Sequence, residues 1–124
     1  AGFPTETEDM FANSMSIVED CGLSFLHVFP FSPRPGTPAA RMPQLDRAAV
    51  KERAARLRMN GSEALRAHLA REVGQSRPIL METGDIGRTP QFASVYLQGG
   101  RPAGEIVVAR LTAHDGERLT ATAI

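Results

Sequence analysis

The sequence predicts an α+β chain in which helical segments come first and a small β-rich module comes last. Three observations predict it. Apolar residues recur at helical spacing near residues 7–20 and again over about 46–72. A proline-rich stretch lies between those two segments. After Pro78 the pattern changes to short β-like runs separated by turn residues.

The first helix is expected from about 7 to 20. Thr5-Glu6-Thr7-Glu8 fits a capping box, with Glu8 three residues after Thr5. Glu8 and Asp9 suit the positive end of a helix dipole. Met10, Phe11, Ser14, Ile17, Val18 and Cys21 recur at helical spacing, and Gly22 is the expected left-handed stop. Ser24-Phe25-Leu26-His27-Val28-Phe29 is a continuous apolar run between Gly22 and Pro30, which suits a strand buried on both faces. Helix then buried strand is half of a parallel βα unit.

Residues 30–45 hold five prolines (Pro30, Pro33, Pro35, Pro38 and Pro43) together with Gly36, so they read as a long, shaped loop. Asp46 caps a second helix that runs to about Glu72, with Val50, Ala54, Leu57, Leu65 and Leu69 on its apolar side. Asn60-Gly61-Ser62 interrupts it, and an interior Gly costs about 1 kcal/mol, so a bend is expected there. Gly74 and Pro78 end this helix. Strands are expected at 79–82, 92–97, 105–112 and 119–123, separated by Asp85-Ile86-Gly87, Gly99-Gly100 and Asp115-Gly116. They imply a small antiparallel sheet or barrel.

With 124 residues, 42% hydrophobic and 23% charged, the chain is globular and holds one ordinary domain or two small ones. No run approaches the roughly eighteen apolar residues of a membrane span, and no basic-then-apolar signal opens the chain. The one cysteine, Cys21, excludes an internal disulfide and a four-cysteine metal site, and the cytoplasm is the expected compartment. Its helical position reads as buried packing. Net charge is zero, but residues 1–33 carry five acids and no Lys or Arg, whereas residues 46–72 carry seven basic residues against four acids. A polyanion would meet the middle and the arginines of the end rather than the start. The competing reading of that basic run is a solvated helix face. Ala1-Gly2-Phe3-Pro4 has no Met and no leader, so a truncated chain with a strand before Ala1 is expected.

Two motifs carry chemistry. Gly2-Phe3-Pro4-Thr5-Glu6-Thr7-Glu8-Asp9-Met10-Phe11 reads as a strand end, a tight turn and a capped helix N-terminus, which presents backbone N–H groups to an anion. By spacing alone the favoured reading is simply a well-capped βα turn. His27-Val28-Phe29-Pro30-Phe31-Ser32-Pro33-Arg34-Pro35-Gly36-Thr37-Pro38-Ala39 reads as a strand end and a stiff loop at the edge where parallel sheets bind ligands.

In this order and separation the two motifs resemble the last two βα units of the radical S-adenosylmethionine methylthiotransferases. The likeness covers residues 1–42 almost continuously, with Thr5 where that family usually has Gly. His27-Val28-Phe29-Pro30 and Ala39-Ala40-Arg41-Met42-Pro43 look most like the branch acting on threonylcarbamoyladenosine in tRNA. Residues 74–124 resemble, in length, strand count and position, the TRAM domain that follows a linker helix in the family, a small OB-like RNA-binding β-barrel. Ile79-Leu80-Met81-Glu82, Tyr96 and Gly104-Glu105-Ile106-Val107-Val108 are the clearest correspondences.

The resemblance implies three parts: residues 1–45 from the closing βα units of the radical barrel, 46–73 as a linker helix and 74–124 as the TRAM-like barrel. It implies S-adenosylmethionine and two 4Fe-4S clusters for the parent protein, with none expected bound to this piece and catalysis absent from it. Glu6 is implied on the S-adenosylmethionine side, although a helix-start acid facing the dipole is an equal reading. Phe29, Pro30 and Phe31 are implied beside the adenine, against ordinary packing. Arg34 reads as an anion contact or a solvent-facing loop residue.

In the barrel, Arg88, Arg101, Arg110 and Arg118 are implied phosphate contacts, and Tyr96 is a base-stacking or a core residue. His27, His68 and His114 form no metal cluster by spacing and read as a strand, a helix-surface and a turn residue. The partner implied is the tRNA anticodon stem-loop, with no membrane. A strand at 24–29 without neighbours would let copies of the chain pair into a homo-oligomer. The alternatives are a methylthiotransferase for isopentenyladenosine in tRNA or for a ribosomal protein, or an RNA-binding module without catalysis.

Overall fold

Helix α1 spans Glu8–Asp20 in a computed structural model that describes residues 1–124. Its N-cap is Thr7, whose hydroxyl accepts from the Met10 N–H at 3.2 Å. The expected Thr5–Glu8 box is therefore displaced: Thr5 stays in the turn before the helix. The C-terminal end is as expected. Gly22, at φ +63°, donates to Glu19 O, and Leu23 donates to Val18 O, so the last carbonyls are paired. Phe11 and Val18 are buried, while Met10, Ile17 and Cys21 are exposed. Cys21 is thus corrected from buried packing to an exposed helix cap.

Residues 24–29 do not form a strand. They are extended and alternate between exposed and half-buried positions, the pattern of a strand with one face covered. A ladder needs a strand alongside, and at the end of this segment the backbone of Ala1 supplies one. The Ala1 amino group donates to Phe29 O at 3.0 Å, and the Phe31 N–H donates to Ala1 O at 2.7 Å. That reciprocal pair is the parallel-strand pattern, one residue long. His27 accordingly lies in an exposed extended segment rather than a strand. The proline-rich stretch is loop throughout, apart from a 3-10 turn at Ala39–Arg41.

Helix α2 spans Arg47–Glu72, and the Asp46 carboxylate accepts from the N–H groups of Ala48 and Ala49. It runs through Asn60-Gly61-Ser62 without a break, contrary to the expected bend. The Gly at that point has a packing reason instead. A Cβ added at Gly61 would lie 3.1 Å from Leu26 Cβ, so hydrogen there lets the extended segment lie against the helix. The neighbouring Asn60 amide donates to Met15 O at 3.0 Å. Two compact units share this helix, Ala1–Ala64 and Leu65–Ile124.

The second unit is a closed barrel of β1 (Ser76–Met81), β2 (Ile86–Arg88), β3 (Ser94–Gln98), β4 (Ile106–His114) and β5 (Leu119–Ala123). The strand order is β1-β2-β3-β5-β4, and β4 pairs back to β1. The pairs are antiparallel except β3 with β5, which is parallel. The expected antiparallel barrel is thus corrected by one parallel seam, and the order is that of an OB-like Greek-key barrel. β2 was expected to be a turn, because Ile86-Gly87-Arg88 is short and holds a Gly. Gly87 is buried, and a Cβ on it would come within 2.6 Å of both Ile79 Cγ2 and Leu80 O. β1 begins before Pro78 rather than after it. The β1–β4 hydrogen bonds run through odd-numbered β1 positions, such as Met81 N–H to Glu105 O, so Pro78 needs no donor there.

Inward residues Ile79, Met81, Val95, Leu97, Leu111, Leu119 and Ala121 are fully or almost fully buried, with Leu69 of α2 packed among them. Leu65 and Val73 extend that contact. Between β2 and β3 a tight turn brings Phe92 to φ +71°, a left-handed conformation that costs a non-glycine residue on the order of 1 kcal/mol.

Candidate functional site

In the first unit, the Gly2–Glu6 segment closes on itself and onto α2. The Glu6 N–H donates to Phe3 O at 2.8 Å, and Glu6 Oε1 accepts from the Gly2 N–H at 2.9 Å. Arg53 Nη1 donates to both Glu6 O and Glu6 Oε1, at 2.8 and 2.9 Å. Gly2 sits at φ +85° with Val50 so near that a Cβ would meet its methyl carbons at 2.7 Å. Both demands exclude larger residues there. Arg53 also lies 3.4 Å from Glu8, and Arg56 bonds Glu8 at 2.7 Å. The Arg56 hydrogen bond holds the Glu8 carboxyl below the usual range, although Glu8 is open to solvent. Both guanidiniums lie over the buried Phe11 ring, at 5.7 and 4.8 Å.

The second motif meets this turn. Arg47 donates to Phe31 O at 3.1 Å, and the Phe3 and Phe31 rings pack edge to face at 5.4 Å. The result is a cleft of about 530 Å³ lined by Ala1, Phe3, Glu6, Phe29, Pro30, Phe31, Ser32 and Arg34. All four residues implied for the S-adenosylmethionine side, Glu6, Phe29, Pro30 and Phe31, line it together. Glu6 belongs to the turn rather than to the first helical turn, so the dipole reading does not describe it. Phe29 is 74% exposed, which is not ordinary packing. Phe3 was not singled out from sequence; it stands within the first motif as its only ring before the helix.

In the second unit, outward positions on β2, β3 and β5 carry Arg88, Ser94, Tyr96 and Thr120. Tyr96 is exposed, paired in register with Ile86 on one side and Thr120 on the other. It is therefore not a core residue. Arg118 precedes Leu119, the partner of Val95, and so continues the register opposite Ser94, whose other neighbour is Arg88. Arg88, Tyr96 and Arg118 thus share one outer face. Arg110 lies on β4 opposite Thr122, one strand further round. Arg101 lies apart, in the loop after β3, with its side chain folded onto Gly100 O and its N–H on Gly84 O. The Asp115 carboxylate caps the β4–β5 turn by accepting from the Arg118 and Glu117 N–H groups, and those bonds lower its pKa. His114 is half-buried at the end of β4 rather than in the turn.

A ring-lined cleft beside a tight, acid-locked turn in one unit, and a small OB-like barrel with Arg88 and Arg118 on one outer face in the other, define the class at the level of fold. Comparison with known proteins narrows that class. No family model matches the chain. It is 44% identical over 111 residues to the threonylcarbamoyladenosine tRNA methylthiotransferase MtaB of Rickettsia prowazekii, covering 90% of this chain and 26% of that protein. It is 39% identical to the ribosomal protein uS12 methylthiotransferase RimO of a Synechococcus strain, covering 90% of this chain and 26% of that one. It is 42% identical to the tRNA-2-methylthio-N(6)-dimethylallyladenosine synthase of Sorangium cellulosum, covering 81% and 20%. Over 81–90% of its length the chain is thus similar to enzymes of the methylthiotransferase group. It spans about a quarter of the length of these relatives. No helix is long and apolar enough to cross a membrane.

Proposed function

We propose that the chain is part of a methylthiotransferase that adds a methylthio group to threonylcarbamoyladenosine beside the tRNA anticodon. The observation that carries this is the convergence of Glu6, Phe29, Pro30 and Phe31 on one cleft in a chain similar to methylthiotransferases. The 44% identity to a threonylcarbamoyladenosine enzyme favours that substrate over its siblings.

The cleft residues fit an adenosyl group. Phe29 and Phe31 offer ring surface to a purine, and Pro30 holds the backbone between them extended. Glu6 Oε1 is committed to Gly2 and Arg53, which orients the carboxyl; Oε2 makes no such bond and can accept from an ammonium or a hydroxyl. Arg34 lies at the same cleft with no ion pair of its own and suits a carboxylate. When bound with its cluster, S-adenosylmethionine supplies the radical chemistry of this family. The chain's part is to hold the adenosyl side and exclude water from it. With a single cysteine, it cannot supply the thiolate ligands of two clusters.

The barrel serves tRNA. Arg88 and Arg118 meet phosphates and Tyr96 stacks on a base, with Arg110 extending the basic track and Arg101 a separate contact at the loop end.

The test is nucleoside mass spectrometry of tRNA from cells lacking the complete protein, with and without complementation. The methylthio derivative of threonylcarbamoyladenosine should vanish and return. Loss of the modification from a ribosomal protein, with tRNA unchanged, would overturn the assignment in favour of the sibling.

A further inference from the structure

The barrel carries a ring-bearing cleft beside the face just described, sharing Arg88 with it. It measures about 320 Å³, and its lining includes Leu80, Glu82, Arg88, Pro90, Phe92 and Ile106. From these residues we infer a pocket for a single unpaired nucleobase of the RNA, stacked on Phe92. The inference rests on the proposed RNA-binding role of the barrel and assigns it a specific subsite.

Phe92 is the first reason. It occupies the left-handed position of the β2–β3 turn, where Gly or Asn is the relaxed choice. The turn is otherwise tightly made: Thr89 N–H to Ala93 O at 3.0 Å, Phe92 N–H to Thr89 O at 2.9 Å, and Ala93 N–H to the Thr89 hydroxyl at 3.1 Å. Phe92 gains little burial from this strain, being 70% exposed. A large ring held in an unfavourable backbone conformation and shown to solvent has no packing explanation. Strain of that kind marks a working residue.

The surroundings specify the occupant. The Arg88 guanidinium lies over the Phe92 ring at 5.9 Å and also donates to Phe92 O at 3.2 Å. Glu82 Oε1 pins Arg88 Nε at 2.8 Å. A flat ring, a planar cation and the exposed apolar side chains of Leu80 and Ile106 make a slot for a flat, weakly polar group. Glu82 Oε2 has no partner in that network, so it can accept from the amino edge of adenine, cytosine or guanine. Uracil offers no exocyclic amino group. Arg88 is common to this pocket and the basic outer face, so RNA held on that face passes the pocket mouth. A base is favoured over an apolar protein segment because the slot's polar groups are a matched acid and cation aimed at a planar partner.

The experiment uses the whole 124-residue chain and tRNA, with affinity read across salt concentrations. Phe92→Gly relaxes the turn, so its Tm should equal or exceed that of the original. Its Kd for tRNA should weaken about ten-fold with the salt slope unchanged, because a stacking contact releases no counterions. Phe92→Tyr should restore affinity. Arg118→Ala should instead lower the salt slope by about one. Equal affinity for Phe92→Gly and the original, with Arg118→Ala still weakened, would overturn the pocket and leave the RNA face standing. No salt-dependent tRNA binding by the original would overturn both. A concentration-dependent dimer abolished by Phe92→Gly, with tRNA affinity intact, would give the cleft to a second copy and overturn the inference. Equal binding of uracil-only and adenine-only single strands would remove the role of Glu82, and the base-edge claim with it.

Discussion

The two units solve the problem of burial in opposite ways. The barrel closes its sheet, so every strand has two neighbours and the inward side chains share one dry core. The first unit buries Phe11, Val18, Val50 and Ala54 and leaves Phe3, Met10, Ile17, Leu23, Phe25, Phe29 and Met59 substantially exposed. What holds it is polar: Arg53 on Glu6, Arg56 on Glu8, Arg47 on Phe31 O and Asn60 on Met15 O. The lesson is that an apolar core tolerates surface change, whereas a unit tied by hydrogen bonds depends on single residues.

The comparison can be broken at the barrel first. Leu97→Ala should cost about 2–5 kcal/mol, because Leu97 is wholly buried between closed strands and the cavity cannot collapse. Urea unfolding should show a lowered midpoint. A shift no larger than that of an exposed substitution would mean the core is not the support assigned here.

The first unit offers the next test. Arg53→Met keeps the packing over Phe11 but leaves the Glu6 carboxylate, 15% exposed, without its cation. About 1–3 kcal/mol of local stability should be lost. Faster hydrogen exchange at the Gly2 and Glu6 amides, with the barrel amides unchanged, is the expected result. If exchange in the turn is unaltered, the ion pair is not what holds it.

Acid supplies the smallest and sharpest comparison. Glu72 is buried, and the two-bonded Arg77 guanidinium at 2.7 and 2.9 Å holds its carboxyl below the ordinary range. A depressed carboxyl contributes stability that is complete above its unfolded value, about 4.3, and is lost as pH falls through the folded value. Thermal melts should therefore drop below about pH 4.3 by more in the original than in Glu72→Gln. Parallel curves for the two proteins would rule Glu72 out as a source of acid sensitivity.

Much of this could be read along the chain. The helix ends at Gly22 and Asp46, the turn at Asp115-Gly116 and the β-rich character after Pro78 follow from local chemistry. Glu6, Phe29, Pro30 and Phe31 were named together through the family resemblance, and the structure brings them to one cleft. The strand at 24–29 failed because a strand is a relation between segments, and its pairing with Ala1 is one residue long. Gly61 misled for the same reason. Its meaning lies in Leu26, thirty-five residues away, and not in helix propensity. β2 was hidden by its Gly, which the barrel needs against Ile79. Phe92 carried no local signal at all.

By itself the sequence determined which segments are helical, where they stop, and which family the chain resembles, because caps, periodicity and short motifs act over a few residues. Only the tertiary structure decided that the barrel closes through a parallel β3–β5 seam, that Cys21 faces solvent, and that Phe92 stands strained over a cleft. Those outcomes depend on which distant groups meet, and long-range pairing leaves no trace in local pattern.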